Sequence, residues 1–190
     1  MNKSELINEL ENMGPALLTN RTRIADKVLD HPEIFPELLN IVFEVKEKRS
    51  IKAAWVLEII CANNLEMLVP YLEQFTSQLQ YLELGSAVRP ASKICGLMAK
   101  AYRSKKEHII KNILTGEQIE RILESGFDWL ISEHKVAVKA YSMESLYLFG
   151  KETDWVHDEL KLILEKNLAY ESCGYIARGR KIIQLINKNK

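Results

Sequence analysis

Residues 50–61 read S-I-K-A-A-W-V-L-E-I-I-C, and residues 137–147 return the same pattern as A-V-K-A-Y-S-M-E-S-L-Y. Ala54, Trp55, Leu57, Glu58 and Ile60 are answered by Ala140, Tyr141, Met143, Glu144 and Leu146. The echo keeps Glu58 as Glu144 but replaces Cys61 with Tyr147, as expected of a stacking position rather than of a shared chemistry. Small and apolar residues recur in both runs at helical spacing. Units repeated in this way cannot each bury their apolar faces alone, so each has to share its core with the next.

Read in order, the chain is a series of paired helices. Residues 3–12 form a short amphipathic helix with Leu6, Ile7 and Leu10 inward; Gly14-Pro15 breaks it, which makes it an end cap. From Asn20 the next helix turns Ile24, Ala25, Val28 and Leu29 inward and closes at His31-Pro32, because a residue before proline is pushed out of the α region. Residues 33–46 are its partner. The second pair is expected at 51–62, with the Ser50 hydroxyl as N-cap, and at 65–82, with Pro70 near the first turns of the latter.

A third unit starts after Gly85 with Pro90 as an early-helix residue and continues to Arg103, and residues 105–114 then form a short helix or ordered loop. Thr115 and Gln118 make a T-x-x-Q capping box that opens a helix toward Ile131. The fourth pair is 135–149, ended by Gly150, and 154–166, with Asp154 as N-cap; a half-unit follows at 172–187. No alternating run lies between hairpin turns. The expected fold is therefore all-α, an α-solenoid of about four antiparallel helix pairs with capping helices, in one domain with units at 20–47, 49–82, 86–132, 134–168 and 172–187.

Charge limits the function classes. The 26 basic and 26 acidic side chains cancel, so net charge does not recruit nucleic acid or anionic membrane. Residues 1–95 nevertheless carry ten basic and thirteen acidic groups, and residues 96–190 sixteen and thirteen, which tilts the C-terminal half positive. Three widely spaced cysteines, a polar start and no apolar run of about 18 residues lead us to expect a protein of the reducing cytoplasm with no membrane span.

The paired helices, the degenerate period near 40 residues and the Ala-aromatic-x-apolar-Glu signal together resemble HEAT and armadillo repeats over residues 20–187. That resemblance implies a scaffold that binds a protein or peptide along a concave face lined by the second helices, at 33–46, 65–82, 117–132 and 155–166. The C-terminal S-C-G-Y-I-A-R-G-R-K-I-I also resembles the end of short bacterial HEAT-like proteins, some of which carry an adenylosuccinate lyase label. The Ser-Ser, Met-Pro and Lys-bearing Gly-rich loop of that lyase superfamily does not occur in this chain.

Candidate chemistry is sparse. Glu152, Asp154, His157 and Asp158 offer carboxylates and an imidazole on adjacent turns, but no paired His or Cys motif completes a metal set. Cys61 and Cys95 sit on apolar faces, Cys173 lies near a helix start, and His31, His108 and His134 stand in no recognisable catalytic setting. We therefore expect no catalytic residue, cofactor or metal. The competing reading is nucleic-acid binding by two basic clusters: Lys100, Arg103, Lys105, Lys106 and Lys111, and then Arg178, Arg180, Lys181, Lys188 and Lys190. Trp129, Trp155 or Tyr175 would supply stacking surfaces for it. Its sharpest form resembles HEAT-like DNA glycosylases, with Asp128-Trp129 or Asp154-Trp155 as the pair recruited.

Overall fold

The computed structural model describes residues 1–188, without the side chain of Asp154, and Lys190 of the second basic cluster lies outside the described residues. Among these residues are eleven α-helices and four short 3-10 stretches, with no strand. No single helix there is long and apolar enough to cross a membrane. Contacts gather into two compact units, Met1–Ile94 and Cys95–Lys190.

In the first unit, helices α1 (Lys3–Glu11), α2 (Leu18–Asp30) and α3 (Phe35–Val42) surround α4 (Lys48–Asn63). Helix α4 contains the first copy of the sequence echo, and its Ala53, Ala54, Val56, Leu57, Ile60 and Cys61 are all buried. A helix buried on most sides has no single polar face, and its alanines let neighbours approach closely. Gly14, at φ +71°, supplies the left-handed turn between α1 and α2 that the Gly-Pro pair predicts.

Three expectations fail here. Ser50 is not a cap: α4 starts at Lys48 with Glu47 in the cap position, and the buried Ser50 hydroxyl has no hydrogen-bond partner among the described residues. The stretch 65–82 is not one helix. Pro70 lacks the N–H that an α-helix needs, so Leu65–Tyr71 is 3-10, α5 is confined to Leu72–Gln78, and Leu79–Tyr81 returns to 3-10. Likewise, residues 33–46 shrink to a 3-10 turn, Pro32–Ile34, and the short α3.

Helix α6 (Gly85–Arg103) begins in the first unit and ends in the second, with Pro90 inside it. Its first half meets α4 through charge. Glu58, with 3% of its side chain exposed, accepts from Arg89 Nη1 at 3.0 Å and from Lys93 Nζ at 2.7 Å. A carboxylate so buried is tolerable only when paired and hydrogen-bonded.

The second unit repeats the plan around α9 (Val136–Phe149), the second copy of the echo, which packs against α8 (Gly116–Ile131), α10 (Asp154–Asn167) and α11 (Cys173–Lys188). Glu144 accepts from Lys100 of α6 at 2.9 Å and lies 3.9 Å from Arg178 of α11. The 105–114 segment contributes only a one-turn α7 (Ile110–Ile113). At the corner between α9 and α10, a Cβ on Gly150 would lie 2.5 Å from Val156 Cγ1 and 2.9 Å from His157 Cδ2. The Thr115–Gln118 capping box forms as expected, whereas Thr153, not Asp154, holds the cap position of α10.

Three stability outcomes follow. Glu58→Ala should cost about 1–3 kcal/mol in urea unfolding, since it removes two charge-assisted bonds from a desolvated site; an unchanged midpoint would mean that the pair contributes nothing. Gly150→Ala should cost a similar amount, about 1–3 kcal/mol, by overpacking the corner.

The third outcome is pH-dependent. Hydrogen bonds from Lys27 and Arg23 hold the Glu9 carboxyl below its ordinary range. A depressed carboxyl contributes stability above its unfolded-state pKa and loses it as pH falls through the folded one. Acid should therefore destabilise the wild type more than Glu9→Gln, as read by melting temperature against pH.

Candidate binding site

The α9–α10 corner places a group of side chains that the sequence scatters. Gly150–Glu152 forms a 3-10 turn, so Glu152, Thr153 and Trp155 emerge beside Phe149 at the end of α9. From the last turn of α6, Tyr102 lies against Phe149 with ring centroids 5.6 Å apart, and its hydroxyl donates to Glu152 Oε2 at 3.2 Å. Arg103 locks the same carboxylate, donating from Nη1 to Glu152 Oε1 at 2.7 Å and from Nε to the Leu148 carbonyl at 2.9 Å. The opposite wall is the start of α8, fixed by reciprocal 3.2 Å bonds between Thr115 and Gln118.

Between these walls lies an open cavity of about 440 Å³. Leu114, Ile119, Leu123, Phe149 and Trp155 supply its apolar side chains, and Tyr102, Glu120, Glu152 and Thr153 its polar ones. Burial, and then the Glu152 charge, push the Tyr102 phenol above its ordinary pKa, so at neutral pH it stays a donor. Among the described residues the lining contains no histidine or cysteine. Concave walls that combine apolar side chains with oriented polar groups suit recognition of a ligand.

Trp155 stands at this cavity with 58% of its surface exposed, stacked on Phe127 of α8 at 5.6 Å and 23°. Leu162, two turns along α10, and Ile131, at the end of α8, are each 62% exposed. Along α8, Glu117, Glu120, Glu124 and Asp128 are exposed at spacings of 3, 4 and 4, which puts them on one stripe. Arg121, bonded to Glu117 at 2.5 Å, is the one basic residue of that helix.

The basic residues named from sequence behave differently from one another. Lys100 and Arg178 come from separate clusters yet share Glu144, and Arg103 is held by Glu152, so these three are engaged in the second unit's own framework. Lys105, Lys106, Arg180 and Lys181 are exposed and Lys111 half-buried, and none of the five has an ion pair among the described residues. Of the proposed stacking residues, Trp129 and Tyr175 are buried. Only Trp155 remains available.

The carboxylate and histidine cluster is likewise divided. Glu152 faces Tyr102 and Arg103, while His157 donates from Nε2 to the Tyr147 carbonyl at 2.9 Å and stacks on the Tyr147 ring at 5.3 Å. No three His, Cys, Asp or Glu side chains converge on a metal position among the described residues. Asp128 is exposed while Trp129 beside it is buried, so that pair points apart. Burial raises the thiols of Cys61 and Cys95, keeping them protonated core groups.

Sequence reasoning missed Tyr102, Glu120 and Glu152 as parts of one cavity. Their numbers are far apart, and only the position of α6 against the α9–α10 corner joins them. Because Trp129 is buried and Trp55 half-buried, Trp155→Phe should remove most of the acrylamide-quenchable tryptophan emission. Equal quenching in the variant would contradict the exposure of Trp155.

No protein-family model matches the chain, and no curated protein or solved structure matches it.

Proposed function

We propose that the protein is a non-catalytic helical-repeat scaffold of the α-solenoid kind, and that it binds a protein or peptide on the α8 and α10 surface of its second unit. The observation that carries this reading is Trp155. A tryptophan held by stacking but left open at an apolar cavity has a large contact surface and little ordering entropy still to lose. Exposed Leu162 and Ile131 extend the apolar area along the same two helices. The repeat reading is supported by the matching roles of α4 and α9, which carry the sequence echo and each use its glutamate to hold cations from other helices.

A photoreactive benzoylphenylalanine at position 162, introduced into the full chain in its native cell, tests this directly. The expected result is a discrete protein adduct that is lost when Trp155→Ala is added, since truncating a central aromatic anchor typically costs about 2 kcal/mol or more. As control, the same probe at exposed Gln184 of α11 should yield no such adduct. Equal adducts from both positions, or none from 162, would overturn the proposal.

Nucleic-acid binding is the second reading, favoured by Lys105, Lys106, Arg180 and Lys181, which are exposed and have no ion pair among the described residues. Such binding has to be strongest at low salt. Absence of a gel shift there would end it.

A further inference from the structure

We propose that the occupant of the α8 and α10 surface is a basic, amphipathic peptide segment. One of its apolar side chains would fill the cavity against Trp155, and its lysines or arginines would lie along the carboxylates of α8. This inference rests on the peptide-binding reading and specifies the chemistry of the partner.

The cavity supplies the anchor. Its volume of about 440 Å³ and its walls of Leu114, Ile119, Leu123, Phe149 and Trp155 suit a bulky apolar side chain. Charge within it is already matched where it is deepest in hydrogen bonds: Glu152 is bonded by Arg103 and Tyr102, so it need not draw a cation from a ligand.

The stripe outside supplies the sign. Glu120 lines the cavity, and Glu124 and Asp128 continue from it at intervals of four residues, each about 6 Å along the helix. All three are exposed, and none has an ion pair among the described residues. Four cations of this unit are held by other carboxylates, Lys100 and Arg178 at Glu144, Arg103 at Glu152 and Lys139 at Glu171 at 2.5 Å, and Arg121 of α8 itself is bonded to Glu117. A surface with an apolar socket and a row of unmatched carboxylates favours a segment that combines an apolar anchor with positive charge and disfavours acidic competitors. Basic residues four apart on a helix, or two apart on an extended strand, would match the 6 Å interval.

The test uses the full chain and three synthetic dodecapeptides: one with a central phenylalanine flanked by three lysines, one with those lysines replaced by glutamine, and one basic peptide with the phenylalanine replaced by alanine. The readout is the NMR shift of the Trp155 indole N–H. Three exposed charge pairs predict about tenfold tighter binding of the basic peptide than of its glutamine counterpart at low salt. The gap should shrink as salt rises, because charges on a surface are screened within about 10 Å at 0.1 M. Glu120→Lys with Glu124→Lys, both at exposed positions, should abolish the preference, and the alanine peptide should leave the indole unshifted.

Equal affinity for the basic and glutamine peptides would overturn the charge inference while leaving peptide binding intact. A preference that survives the double reversal would overturn it too, by assigning the charge effect to another surface. If no peptide shifts the Trp155 indole, the peptide-binding reading itself fails.

Discussion

A carboxylate removed from water inside a helical core must be answered by cations on neighbouring elements, and Glu58 meets that requirement with Arg89 and Lys93 of α6. The rest of the first unit depends on where this contact lies, because it ties α6 to α4, the helix that α1, α2 and α3 surround. Glu144, partly exposed in the middle of α9, is a looser counterpart in the second unit, bonded to Lys100 at 2.9 Å and lying 3.9 Å from Arg178. An apolar helix face can slide by a turn with little loss, whereas a buried ion pair at about 3 Å cannot. Packing provides the bulk of the attraction, and Glu58 fixes the register of α6 on α4.

That assignment leaves other helices free to face outward. In the second unit, Lys100 and Arg103 of α6, Lys139 of α9 and Arg178 of α11 are held at Glu144, Glu152 and Glu171, while Glu120, Glu124 and Asp128 of α8 have no ion pair among the described residues. Gly150 completes the arrangement by allowing the α9–α10 corner to close within contact distance of Val156 and His157. The close corner brings Glu152, Thr153 and Trp155 beside Tyr102 and Phe149, and a cavity results.

Much of the architecture was legible because it is local. The 3, 4 spacing of apolar residues marked the helices, the T-x-x-Q box fixed the start of α8, and Gly14-Pro15 and Gly150 marked two breaks. The echo of 50–61 in 137–147 identified α4 and α9, the two helices most surrounded by others. Local signals failed where two of them competed: Ser50 has good capping chemistry, but the helix had already begun at Lys48. Pro70 divides a stretch whose apolar spacing alone reads as continuous. The cavity was not legible, because it joins Tyr102 to residues near 120 and 150 through tertiary packing. For a related reason a sequence cannot show that Arg103, Lys100 and Arg178 of the basic clusters have carboxylate partners.

The resulting picture has a rigid ionic framework inside and an apolar, acid-edged surface outside, with Trp155 at the junction. Hydrogen–deuterium exchange of the full chain, with and without a saturating basic, phenylalanine-bearing peptide, tests that picture most directly. Slower exchange along α8 as far as Asp128, in the first turns of α10 and at the α9–α10 corner is the result predicted. Protection centred instead on Lys105, Lys106, Arg180 and Lys181, with α8 and α10 unchanged, would contradict it.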